Sequence, residues 1–384
     1  MIIRIATLLL LVILAGCSTV SGWFGSGSDK TGKEKEPAKL VEFKQTATFN
    51  VRWHHKVGGS GNYILPPAVT SDAVYAANAK GELFRLDPAT GNEVWRVNSG
   101  FNITAGVGTG EGLVLVGGGK GQLAAFAVDG KLRWKTIVSS EVLNIAKIVD
   151  GIVVVRTADG RLSGLDVTDG KRLWLYEQSI PPLIVRSHAG VVIERGTVFA
   201  GFAAGKLAAI SIGSGVVIWE TVVSQPRGNT ELERISDIIS SPVLDDEQVC
   251  AVAFQGRVAC YGLAQGSLLW SRDLSSDKGM TLFHNFLYIT NTSGVVLAMD
   301  KSSGSSFWKN EQLSMRQTSA PYAFGNHLMV GDYEGYLHAL SREDGSMTAR
   351  LKTDGSAILT APIELDGGVL VQTRNGGLYS VTLN

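Results

Sequence analysis

Six histidines and three cysteines are the side chains of this 384-residue chain with the most chemistry to offer, and their spacing offers little of it. His54 and His55 are adjacent on a segment that reads as a strand, so they point to opposite faces and cannot share a metal. The other histidines are scattered, and no H-E-x-x-H, C-x-x-C or nucleophile-elbow pattern occurs. Cys250 and Cys260 flank the turn residues Gln255-Gly256. A two-residue turn there sets Cys250 opposite Tyr261 and sends Cys260 to the other face, which predicts two buried thiols even though a secreted protein could hold a disulfide. No catalytic residue, metal site or cofactor is expected from these residues.

The third cysteine has a more specific setting. Arg4 precedes an apolar run from Ile5 to Leu14, followed by Leu14-Ala15-Gly16-Cys17. The run is too short to span a bilayer, which takes about 20 residues, and reads as the core of a secretory signal. Small residues ending on a cysteine resemble the bacterial lipoprotein lipobox. Residues 1–16 are therefore expected to be a signal peptide and Cys17 the lipid-bearing first residue of the mature chain. Several acyl chains on one cysteine hold a protein at a membrane without a transmembrane helix. Ser18 follows, rather than the aspartate that in such lipoproteins favours retention at the inner membrane. From 17 to 45 the chain is rich in Gly, Ser, Lys and Glu and reads as a flexible tether.

Composition bounds the remainder. The 35 basic and 35 acidic residues cancel, so no electrostatic footprint points to a nucleic-acid partner. Glycine, at 46 residues, is well above its usual share of roughly 7%. Much of that excess falls in one recurring pattern: Gly, x, Leu or Val, x, small, apolar, often Asp, then a turn to Gly and, four residues later, Trp. Copies begin at Gly81, Gly121, Gly160, Gly205, Gly256, Gly294, Gly335 and Gly376, spaced by 40, 39, 45, 51, 38, 41 and 41 residues. A period near 40 denotes a propeller or a solenoid. Within each unit the segments are short, β-rich and punctuated by turns, as in Val74–Ala77, Leu83–Leu86 and Glu93–Val97.

Residues 46–384 are thus predicted to be all-β, an eight-bladed β-propeller of four-stranded antiparallel blades. The last blade lacks its fourth strand, and Val51-Arg52-Trp53-His54-His55 carries a tryptophan with no hairpin before it. The N-terminal strand is expected to complete that blade and close the ring, removing two exposed edges. Trp53, Trp95, Trp134, Trp174, Trp219, Trp270 and Trp308 read as wedges between neighbouring blades, with Ala349 in the equivalent place of the seventh repeat. The repeat aspartates Asp87, Asp166 and Asp300 read as turn residues whose carboxylates accept backbone N–H groups.

The repeat also measures its own loops. From each Trp position to the next hairpin Gly the chain takes 24 to 28 residues, but 31 from Trp174 to Gly205 and 37 from Trp219 to Gly256. Both excesses lie in crossovers that leave the same face, in adjacent blades, and long loops on a rigid scaffold are where function concentrates. The first insertion holds Pro181-Pro182-Leu183-Ile184-Val185-Arg186, the second Asn229-Thr230-Glu231-Leu232-Glu233-Arg234-Ile235-Ser236-Asp237. Apolar anchors beside Arg and Asp suit a protein interface.

The Ala-x-Asp-x-x-x-Gly-x-x-x-Trp core, as in Ala298-Met299-Asp300…Gly304…Trp308, resembles the repeat of pyrroloquinoline quinone (PQQ) dehydrogenases and their non-enzymatic relatives. Those enzymes are longer and often carry adjacent cysteines against the cofactor, a pair this chain lacks. A PQQ-dependent periplasmic dehydrogenase is the alternative reading. Together, lipobox, tether, eight compact blades and the 230–237 segment resemble the BamB family of lipoprotein propellers of the outer-membrane β-barrel assembly machine. The resemblance implies a non-enzymatic scaffold, lipid-anchored at the periplasmic face of the outer membrane, that binds the periplasmic POTRA domains of BamA and helps present unfolded outer-membrane proteins. The family's Leu-x-Leu-Arg motif matches Leu183, Val185 and Arg186, with Val in place of the second Leu. Its acidic motif matches Asp237, while the second acidic position is Ile239. Leu183, Ile184, Val185, Arg186, Glu231, Arg234 and Asp237 are the residues expected to touch the partner.

Overall fold

A computed structural model of the chain describes residues 36–145 and 148–384. The signal peptide, Cys17 and most of the expected tether lie outside the described residues. Pro37–Asn384 form one compact unit. Among the described residues the strands make eight four-stranded antiparallel sheets, seven in simple sequential order and one completed by the N-terminal strand, and the helical structure is a single 3₁₀ turn, Ala203–Gly205. Blade 1 consists of Ala68–Val69, Val74–Ala77, Glu82–Leu86 and Glu93–Asn98. First strands of neighbouring blades touch one another, so they line the centre and the fourth strands face outward. Blade 8 is built from Ile363–Leu365, Gly368–Gln372, Gly377–Leu383 and, as its outer strand, Phe49–Lys56. Phe49 pairs with Leu383 and Lys56 with Gly377, so the N-terminal strand closes the ring as the sequence predicts.

The seven tryptophans act as one device. Each indole Nε1–H donates to a backbone carbonyl in the outer turn of the next blade, at 2.5–2.9 Å: Trp53 to Pro88, Trp95 to Val128, Trp134 to Val167, Trp174 to Ile212, Trp219 to Leu263, Trp270 to Lys301 and Trp308 to Arg342. Six of the rings are buried and Trp95 is half-buried. Each ring also lies against the glycine that closes the turn it bonds to; a Cβ on Gly170 would stand 2.6 Å from the Trp134 ring. On its own sheet the indole mostly sits opposite a small residue, such as Ala125 for Trp134 and Gly164 for Trp174, while Trp95 sits opposite Arg85. Asp87, Asp166 and Asp300 accept the hydroxyls of Thr90, Thr168 and Ser302 together with backbone N–H groups within these turns, and these bonds hold their carboxyl pKa values below the ordinary range.

The hairpins differ from the two-residue expectation. Asn78 N–H bonds Glu82 O, and Ala253 N–H bonds Arg257 O, which leaves three residues in each loop. Three-residue hairpins end in a left-handed residue, here Gly81 at φ +97°. The hairpin is also clasped by the crossover leaving the outer strand: Ser99 N–H donates to Gly81 O, Gln178 N–H to Gly160 O and Val223 N–H to Gly205 O. The third loop residue shifts the register by one. Cys250 therefore pairs directly with Cys260, both point to one face, and they form a disulfide rather than the expected two thiols.

Truncating one docking indole tests this account. Trp219→Ala should cost roughly 3–5 kcal/mol, whereas Trp219→Phe, which keeps a ring and loses the bond to Leu263, should cost about 1 kcal/mol; urea unfolding reads both. A second outcome concerns acid. His338 is fully buried, with Nε2 at 3.0 Å from Asp332 Oδ2 and Arg350, Arg316 and Tyr336 around it. Burial pushes its pKa down despite Asp332, and burial acts the same way on His188 and His327. A histidine kept neutral in the fold contributes stability that is present above the unfolded value of about 6.5 and is lost as pH falls below it. Unfolding free energy should drop between pH 7 and 5.5, by at most about 1.4 kcal/mol per pH unit for His338. Carboxylates titrate below this window, so a flat profile in it contradicts the assignment.

Candidate partner-binding surface

The two long crossovers run through 178–190, between blades 3 and 4, and 223–242, between blades 4 and 5. They meet. Pro181 and Leu183 of the first and Pro226, Glu231, Arg234 and Ile235 of the second line a common depression of about 220 Å³. Their junction is held from below by Asp237. Its Oδ2 accepts the N–H of Val185 at 2.8 Å and its Oδ1 the N–H of Ala204 at 2.9 Å, while its own carbonyl accepts Phe254 N–H. Asp237 is 3% exposed. The residue expected to meet a partner is thus beneath the surface, where both carboxylate oxygens are spent on the backbone of the first insertion and of the blade 4 hairpin.

The second insertion shapes itself locally. Thr230 Oγ1 accepts Glu233 N–H, and the Glu233 carboxylate accepts the N–H groups of Asn229 and Thr230, a capping box around one turn. Those bonds hold the Glu233 pKa below its ordinary value. Turned so that its nitrogen faces them, the Gln255 side-chain amide donates to the carbonyls of Leu232 and Ile235 at 3.1 and 3.2 Å, closing the turn from the other end. In this hairpin Gln255, rather than the glycine, takes the left-handed conformation, at φ +52°. Leu232, on the crest, is 67% exposed. Glu231 and Arg234 stand beside it, 3.8 Å apart and both exposed.

On the first insertion Leu183 is exposed, and Ile184 and Val185 are half-buried. Ile184, Val185 and Asp237 line a second pocket of about 250 Å³, between blades 3 and 4. Its wall includes Arg156, whose pKa burial lowers to about 10 against the opposing pull of Asp237. Arg186, at the rim, is half-exposed and bonds Glu141 at 2.5 Å with its guanidinium 5.4 Å from the centre of the Tyr63 ring. The structure thus brings Leu183, Arg186, Glu231 and Arg234 to one surface with Leu232. Tyr63, Glu141, Arg156 and Gln255 belong to the same constellation. Glu141 lies 45 residues before Arg186 and Gln255 in another hairpin, and nothing in the local sequence of either marks it.

A family model described as outer membrane protein assembly factor BamB matches residues 79–310. An outer membrane protein assembly factor BamB from Nitrosomonas eutropha is 43% identical over 388 residues, covering 99% of this chain and 95% of that protein. The one from Burkholderia pseudomallei is 36% identical, covering 94% and 96%. Among solved structures, BamB from Moraxella catarrhalis superposes with a TM-score of 0.81 at 26% identity, over 87% of this chain and 100% of that one. Quinohemoprotein alcohol dehydrogenase from Comamonas testosteroni gives a TM-score of 0.71 at 13% identity over 87% of this chain and 76% of its own length, a likeness of fold alone.

Asp237→Ala should leave the amides of Val185 and Ala204 buried without acceptors. We expect a loss of about 1–3 kcal/mol in unfolding free energy and faster hydrogen exchange at those two amides. Unchanged protection at both would show that the carboxylate does not hold the loops together.

Proposed function

The chain belongs to the family of outer membrane protein assembly factor BamB, and on that premise we propose that it is a non-enzymatic scaffold of the outer-membrane β-barrel assembly complex, binding the periplasmic POTRA domains of BamA through the surface built by its two insertions. One observation supports this reading above the others. Two loops from adjacent blades are stapled together by a buried carboxylate, which presents exposed Leu183, Leu232, Arg186 and Arg234 on a preformed patch. A patch already ordered costs little entropy on binding. In this reading Ile184 and Val185 shape the pocket rim, Glu231 holds Arg234, and Asp237 acts as the organiser of the contact instead of a part of it. Arg186 exchanges its pairing with Glu141 for an acidic group of the partner. The chain is held at the periplasmic face of the outer membrane by lipid on Cys17, and unfolded outer-membrane proteins are the clients of the complex it joins. The dehydrogenase alternative draws on likeness of fold alone.

The test is capture of the POTRA region of BamA by the full chain. Arg186→Glu places a carboxylate beside Glu141 and should lower capture at least tenfold, equivalent to about 1.4 kcal/mol, with an unchanged unfolding midpoint. Leu183→Ala should weaken capture several-fold through lost apolar contact. Undiminished capture by Arg186→Glu would remove this surface from consideration.

A further inference from the structure

The segment leading into the first strand is bound to blades 6 and 7 by a site of unusual construction. Ala38 N–H donates to Ser314 O at 2.9 Å, and Arg316 Nη1 donates to Ala38 O at 2.9 Å. Phe43 packs on the apolar cluster shared by blades 6 and 7, with the Arg350 guanidinium 5.0 Å from its ring centre. Thr46 and Ala47 both donate to Thr348 O, and Thr48 exchanges two backbone bonds with Asn384. Behind these contacts runs a buried polar chain. Arg316 Nε and Nη2 reach Asp332 Oδ2 at 2.8 and 2.7 Å, His338 Nε2 shares that oxygen at 3.0 Å, and Arg350 Nε donates to His338 Nδ1 at 3.3 Å. Arg316, Asp332 and His338 are each at most 3% exposed. Burying the Arg316 and Asp332 charges costs several kcal/mol per ion before pairing. This chain of groups starts at Ala38 and ends at Phe43, so both of its termini rest on the same N-terminal segment.

We propose that residues 37–48 are a strap, that the Arg316–Asp332–His338–Arg350 network is its receptor, and that the strap makes the N-terminal tether leave the propeller on the face that carries the two insertions. The topology supplies the direction. Thr348 lies near the start of the outer strand Met347–Lys352, at the end where outer turns lie. Ser314 and Arg316 lie in the crossover between blades 6 and 7, and Asp332 enters a hairpin loop, on the face shared by crossovers and hairpins. The strap therefore climbs blade 7 from the turn face to the insertion face. With lipid on Cys17, as proposed above, the insertion surface is tied on the membrane side; the strap itself does not depend on that lipid.

Hydrogen exchange on the full lipidated chain in phospholipid vesicles reads the strap. We expect slow exchange across 38–48 and at least tenfold acceleration there in Phe43→Ala and in Arg350→Gln, with blades 1 to 5 unchanged. Exchange of 38–48 at free-peptide rates in the wild type, or no acceleration in either variant, overturns the strap. Orientation is read with a fluorophore on Lys120→Cys, in a hairpin loop, or on Ser214→Cys, in an outer turn, against headgroup-quencher lipids. Severalfold stronger quenching at 120, narrowed by Phe43→Ala, is the expected result, and equal quenching overturns the exit assignment. An intact mass without lipid on Cys17 overturns the orientation while the strap stands or falls on its exchange.

Discussion

An indole donating its one N–H to the outer turn of the next blade is the contact on which the ring rests. Sheet-to-sheet packing by apolar side chains alone is non-directional and would tolerate a range of angles between blades. The indole removes that freedom. Its ring needs a glycine to lie against, and its N–H needs the first carbonyl beyond the third strand, so only one relative placement of two sheets satisfies both. Repeated seven times, that local rule closes a ring of eight.

The eighth junction shows why the rule is local. Between blades 7 and 8 the tryptophan position is Ala349, and it faces a blade whose fourth strand comes from the N-terminal side, so no turn joins its third strand to its fourth. That blade has no outer turn, hence no carbonyl and no closing glycine for an indole to meet. Ala47, Ala339 and Ala349 fill the gap with Phe49 and Leu383, and the N-terminal lead-in supplies the hydrogen bonds to Thr348 and Asn384. The seam is therefore sealed by backbone pairing and small side chains where the other seven use a wedge. A scaffold closed in this way is rigid enough to carry two long crossovers without those crossovers having to stabilise it.

What was legible in the residues was whatever repeats. Eight hairpin glycines and seven tryptophans gave blade count, strand order, the ring-closing role of residues 51–55 and the two loops that break the spacing. What was hidden depends on one-residue or long-range detail. A third loop residue in the hairpins, invisible in a Gly-x-Leu pattern, moved Cys260 opposite Cys250. Asp237 carries the same charge whether it faces water or two backbone amides, and composition does not distinguish the two. Arg186 looks unpaired along the chain because Tyr63 and Glu141 reach it only through the ring. The contacts of Ala38 and Phe43 fall inside a stretch whose composition reads as tether, because a backbone carbonyl and one ring suffice to bind it where a receptor is already built.

The bond from Arg52 to Ser380 joins residues 328 apart in sequence. The outer strand of blade 8 is among the first parts of the propeller to be synthesised, and its partner strand is the last. Every other blade can complete its sheet from a contiguous stretch of about 30 to 40 residues, so seven sheets are free to form in order while the first strand waits. Ring closure then reports that the propeller is present through its last blade: a molecule truncated anywhere in that blade keeps an unpaired strand at one end and an open seam at the other. Non-local closure of this kind is slow, and the waiting strand Phe49–Lys56, with its exposed edge, is the segment most in need of protection until its partner strand Gly377–Leu383 arrives.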